Sequence, residues 1–153
     1  MASPIDLPLL EMLPALQTRT QEDSRQVFDA IRRKWLVLAP EELVRQLLLL
    51  YLVNERDYSP HRIGIEKKLV VNTMTRRCDV LIYSGDMDPW MLIECKAPGV
   101  AISQATFDQV AQYNMPLQVP HLMVTNGHTT YCCAIDYLQS SYQFLDALPQ
   151  FPK

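Results

Sequence analysis

The stretch Trp90-Met91-Leu92-Ile93-Glu94-Cys95-Lys96 constrains what this chain can fold into more than any other segment. Its first four residues are apolar and read as a buried strand. Glu94 then sets a carboxylate at the end of that strand, where an unmatched charge is costly and calls for a cation or a metal. Side chains alternate along a strand, so Glu94 and Lys96 share one face. The preceding run, Cys78 to Tyr83, is joined to it through the short Gly85–Pro89 connection, which makes antiparallel pairing natural. In such a hairpin Asp79 lies beside Glu94. The same parity sends Cys78 and Cys95 together to the opposite face, as small core hydrophobes.

The flanking segments complete an alternating pattern. Pro40, suited to a first helical turn, opens a helix through Glu41, Glu42 and the apolar run Leu47–Val53, whose second half is expected to be buried. Strands are expected over 63–71, 78–83 and 90–96. Ser103 caps a helix running to about Leu117, with Phe107, Val110, Ala111 and Asn114 at helical spacings. Strands 121–125 and 129–135 flank Asn126-Gly127, a hairpin signal. Two short strands are expected after Arg25 and one short helix in the tail 136–153. Residues 1–24, with Pro4, Pro8 and Pro14, read as an N-terminal arm, and 25–153 as a single domain. The order of helix, three strands, helix and two strands fits an α/β domain with a mixed sheet.

Length and composition narrow the function classes. The 153 residues, 48% hydrophobic, suit one domain with a real core. No apolar run approaches the roughly 18 residues that a membrane span requires. The N-terminus carries no secretory signal pattern, and the four cysteines include no C-x-x-C pair, so reduced thiols and a cytoplasmic location are expected. None of the four glycines belongs to a phosphate-cradling motif. The net charge of −3 does not suit a DNA-coating protein, but it is unevenly spread. Residues 25–77 carry eleven basic and six acidic side chains, whereas 78–153 carry two basic and seven acidic. That asymmetry fits a phosphate-binding side next to a cation site, and equally a mixed solvated surface.

Asp79, Glu94 and Lys96 on one patch suit metal-assisted phosphodiester hydrolysis. Two carboxylates hold a hard cation, Mg²⁺ or Mn²⁺, and the lysine orients the attacking water or neutralises the phosphate. The E-x-K spacing alone fits just as well a buried ion pair without chemistry. Gln109 and Tyr113, four apart on the next helix, share a face that can overhang the same patch. Arg32-Arg33-Lys34, Lys67-Lys68 and Arg76-Arg77 are candidate phosphate contacts. His61, His121 and His128 have no metal-ligand spacing and read as structural.

The series Pro40 to Gln46, Arg77-Cys78-Asp79, Ile93-Glu94-Cys95-Lys96-Ala97-Pro98, Gln109-x-x-x-Tyr113-Asn114 and Thr125-Asn126-Gly127 resembles the N-terminal nuclease domain of type I restriction enzyme R subunits, within the PD-(D/E)xK nuclease superfamily. The resemblance spans residues 25–136 and implies a restriction-endonuclease-like core, a central mixed β-sheet flanked by helices. It implies that Asp79 and Glu94 bind the metal, with the Cys95 carbonyl as an added ligand, and that Lys96 is the catalytic lysine. Gln109 and Tyr113 match the family's Q-x-x-x-Y element. Glu42 is the additional acidic residue it suggests, with Glu41 competing for that place. DNA, and restriction-modification or motor subunits, are the partners implied. The sequence departs from the pattern at Cys78, which stands where proline is usual, and it contains no ATP-driven motor. The rival reading is a non-catalytic DNA- or protein-binding accessory module on the same fold.

Overall fold

A computed structural model describes residues 2–152. A 3-10 turn over Leu9–Ala15 leads into a small sheet of β1 (Thr18–Gln21), β2 (Ser24–Asp29) and β3 (Lys34–Val37). Helix α1 (Pro40–Arg56) follows, and then β4 (Ile63–Val71), β5 (Met74–Tyr83) and β6 (Pro89–Cys95). Helix α2 (Gln104–Asn114) crosses over to β7 (His121–Thr125), β8 (Thr130–Asp136) and β9 (Ser141–Phe144). The main sheet runs β4-β5-β6-β7-β8-β9. Among the described residues β6 and β7 pair in parallel and the other neighbours antiparallel, so the sheet is mixed and flanked by helices, as expected.

Alternation along the central strands covers both faces of this sheet. Val80, Ile82, Met91 and Ile93 pack against the buried run of α1, while Leu81, Leu92 and Leu122 pack against Phe107 and Ala111 of α2. Local chemistry sets the helix ends. Pro40 stands in the first turn of α1, and Asp57 closes that helix in the left-handed region at φ +58°. The Ser103 side chain accepts from Thr106 N–H and caps α2. Pro116 follows in a 3-10 turn over Met115–Leu117, so the α-helix stops at Asn114, short of Leu117. In the β7–β8 turn Gly127 has φ +90°, and Asn126 Oδ1 accepts from His128 and Thr129 N–H.

Three expectations need correction. Residues 2–24 are no loose arm. Ile5, Leu7 and Leu9 are buried in the α1-side core, Ile5 bridges to Thr130 at β8, and β1 pairs with β2, so a boundary at 24/25 cuts a hairpin. Met1 and Lys153 lie outside the described residues. Among the described residues the tail contains β9 and no helix; beyond it, Leu148 and Phe151 return to the α1-side core, and Tyr58 Oη, just past α1, donates to the Pro149 carbonyl at 2.6 Å. Thirdly, Cys78 and Cys95 do not share a face. Cys95 lies in the α1-side core and Cys78 in the α2-side core. Strict alternation would send Cys78 with Val80, and the break falls at Asp79, which together with Glu66 is missing from an otherwise continuous β4–β5 ladder.

Candidate active site

The β5–β6 ladder ends at Val80 opposite Ile93, and the candidate residues lie just beyond it. There the Asp79 carboxylate accepts from Cys95 N–H at 2.8 Å, replacing a ladder bond with a side-chain bond. The Lys96 N–H turns to the Thr125 carbonyl at 2.8 Å, so the end of β6 follows β7. Lys96 Nζ donates to Glu94 Oε1 at 3.3 Å, with both side chains about a quarter exposed. Burial raises the Glu94 carboxyl above its ordinary value and the Asp79 charge raises it further, against the lowering effect of Lys96. Asp79, Glu94 and Lys96 therefore do come together, and one ammonium does not fully compensate two carboxylates.

The N-terminus of α1 forms the opposite wall. Glu41, Glu42, Arg45, Glu66, Asp79, Cys95 and Ala39 line a cavity of about 240 Å³. Glu42 is engaged on three sides: Arg45 Nε donates at 2.8 Å, Gln46 Nε2 at 3.1 Å and Arg32 Nη2 at 3.4 Å. Burial would raise Glu42, but these bonds outweigh it and hold its carboxyl below the usual range. Glu41 makes no such bonds among the described residues, and its charge reaches Glu94. Arg45 is buried, and although burial favours its neutral form, Glu42 and Glu66 hold it firmly charged. It also donates to the Asp79 carbonyl at 3.4 Å, tying α1 to the strand that carries the carboxylate.

Other expected residues are distributed differently. Gln109 and Tyr113 are both exposed on α2, and no hydrogen bond links either to Asp79, Glu94 or Lys96 among the described residues. Tyr113 meets Arg76, whose guanidinium stacks 4.3 Å from the ring centre while its Nε donates to the Tyr113 carbonyl at 3.0 Å. The basic quartet divides between two ribbon faces. Lys68 pairs directly with Arg77, whereas Lys67 and Arg76 belong to the alternate positions. His121 stacks on Trp90 with ring centres 4.8 Å apart, a packing role.

Two residues of the network escaped the sequence reading. Asp29, fully buried at the end of β2, accepts from Ile31 and Arg32 N–H, from Arg32 Nε at 2.7 Å and from Gln46 Nε2 at 3.0 Å. An Asp between Phe28 and Ala30 with an arginine three residues on was the available signal. Glu66, which meets Arg32, Arg45 and Arg77, had none, because all three partners are distant in sequence.

Among the described residues no three His, Cys, Asp or Glu side chains form a metal cage. Mg²⁺ commonly uses only one or two carboxylates and keeps waters, and the Asp79–Glu94 pair with its excess negative charge fits that habit.

The family model of the type I restriction enzyme R protein N terminus matches residues 40–149. In structure the chain is similar to a fragment described as an HsdR subunit of a type I restriction enzyme from Vibrio vulnificus YJ016. The TM-score is 0.50 at 18% sequence identity, over 73% of this chain and 24% of that one. The chain thus spans about a quarter of the length of that fragment. No curated protein matches the sequence. No described helix is long and apolar enough to cross a membrane.

Proposed function

This chain belongs to the family of type I restriction enzyme R protein N-termini, and from that premise we propose that it is a metal-dependent DNA nuclease module. The observation that carries the reading is the meeting of Asp79, Glu94 and Lys96 where the β5–β6 ladder stops. Asp79 and Glu94 would hold Mg²⁺ or Mn²⁺, with the Cys95 carbonyl as a further donor. When bound, such a cation stabilises the charge that develops on a phosphodiester under attack.

The remaining chemistry falls to the chain itself. The Cys95 N–H engages one Asp79 carboxylate oxygen and leaves the other for a cation. Lys96, hydrogen-bonded to Glu94, would neutralise a phosphate oxygen or orient the incoming water. Glu42 serves with Arg45 and Gln46 as a brace, which leaves Glu41 as the α1 carboxylate free to face the centre. Lys68 and Arg77 are the exposed basic pair proposed to meet the DNA backbone. Restriction-modification or motor subunits are the proposed partners.

The test is nicking of supercoiled plasmid by purified protein with Mg²⁺ or Mn²⁺. Asp79→Asn, Glu94→Gln and Lys96→Ala should each lower the rate by about 100-fold or more, as expected for loss of a metal ligand or a charged catalytic group. Activity surviving in all three variants overturns the assignment. DNA binding with no turnover under any metal supports instead an accessory module without catalysis.

A further inference from the structure

Three arginines converge on one carboxylate at the lip of the cavity that contains Asp79. Glu66 Oε2 lies 3.4 Å from Arg32 Nη1 and 3.4 Å from Arg77 Nη2, and its Oε1 lies 3.6 Å from Arg45 Nη2. The guanidiniums come from the β2–β3 turn, from β5 and from α1. All three contacts are loose, since charge-assisted N–H···O bonds normally measure about 2.7–2.9 Å. Arg32 and Arg45 make their short bonds elsewhere, to Asp29 at 2.7 Å and to Glu42 at 2.8 Å. Glu66 is also the most accessible acid of the group, its side chain 43% exposed against 11% for Glu42 and 0% for Asp29.

Its backbone adds an independent sign. Glu66 has φ +53° in mid-strand, a conformation that costs a non-glycine residue energy and that clusters at functional positions. It is skipped in the β4–β5 ladder although the pairs on either side, Ile65 with Val80 and Lys67 with Cys78, keep register. A strained, half-exposed carboxylate held at long range by three guanidiniums is easily displaced by an anion that binds them better. A phosphodiester carries the same single negative charge, so the exchange leaves the network's charge unchanged. Its two free oxygens match the guanidinium fork.

We propose that Arg32, Arg45 and Arg77 form a binding site for a backbone phosphate of duplex DNA, which Glu66 occupies in the free protein and vacates when DNA binds. The inference rests on DNA being the substrate and assigns one subsite beside the Asp79 centre. Arg77 pairs across the ribbon with Lys68, a second exposed cation on the same ribbon face, so the positive track continues outward from this site.

Binding of a fluorescent DNA duplex, followed by anisotropy in EDTA so that no cleavage intervenes, tests the exchange. Glu66→Gln should bind about three- to tenfold tighter than wild type, as removal of a competing charge at a phosphate contact predicts. Arg77→Gln should bind more weakly and lower the slope of log affinity against log salt by about 0.9, the loss of one phosphate contact. Glu66→Asn, whose side chain tolerates the left-handed backbone, repeats the gain should the glutamine substitution perturb folding. Equal affinity of wild type and both Glu66 variants overturns the subsite. So does an equal gain from Asp86→Asn, an exposed acid in the β5–β6 turn. Either result leaves the nuclease reading to the plasmid assay, whereas failure of every protein to bind duplex overturns both.

Discussion

Glu94 sits in an environment that opposes its own charge, and this has a measurable consequence for stability. Burial raises its carboxyl first, Asp79 adds to the effect, and Lys96 offsets only part of it. A carboxyl raised in the fold destabilises the folded state wherever it is ionised. The folded protein takes up the proton before the unfolded chain does, so the penalty fades as pH falls through the folded value and is gone below the ordinary 4.5. Glu94→Gln should therefore melt at a higher temperature than wild type at neutral pH in EDTA, and the two curves should converge in acid. A lower melting temperature for the variant at neutral pH would contradict this account. Asp29 and Glu42 behave in the opposite sense. Burial would raise each, but bonds from Arg32 and Gln46 to Asp29, and from Arg45 and Gln46 to Glu42, hold both low. Their stabilisation is present above the ordinary carboxylate range and is lost as pH falls through the depressed values. Glu94 thus destabilises the fold at neutral pH, while Asp29 and Glu42 stabilise it.

Among the elements, those whose signals are local agree with the sequence most closely. Helix α1 starts at Pro40, and β4 spans Ile63–Val71 as read. Strand β5 starts four residues earlier than expected, at Met74 instead of Cys78, because Thr75-Arg76-Arg77 has no apolar period and is a strand only through its pairing with β4. Its Arg76 then anchors the ribbon to the C-terminal end of α2 through Tyr113, a contact that neither segment announces alone. At the other end of α2 the cap is purely local. Ser103→Ala removes the acceptor for Thr106 N–H and should cost about 1 kcal/mol, read as a shift in the midpoint of urea unfolding with an unchanged slope. Since Gln109 and Tyr113 are carried on α2, the same variant tests whether that helix contributes to nicking at temperatures where the fold is intact.

At the scale of the whole molecule, both terminal segments close the α1-side core. Leu9 is 1% exposed and belongs to the same cluster as Leu48 and Leu52, so Leu9→Ala should destabilise by about 2–5 kcal/mol in equilibrium unfolding. A value below about 0.5 kcal/mol, typical of a surface substitution, would restore the reading of this segment as a loose arm. The small N-terminal sheet does more than cover apolar surface. The end of β2 and the turn after it bring Asp29 and Arg32 to Gln46 and Glu42, so two residues outside the family-matched span brace the wall of the site. The sequence by itself determined the helix starts, the alternation of most of the central strand positions, and the meeting of Asp79 with Glu94 and Lys96 at the end of β6. Proline geometry, a two-residue period and hairpin pairing depend on neighbours along the chain. Only the tertiary structure decided which charges meet. The Asp29–Gln46 and Glu66–Arg45 contacts, the stacking of Arg76 on Tyr113 and the face taken by Cys78 arise between segments distant in sequence. Their partners are chosen by packing and by the need to neutralise buried charge, which no local pattern records.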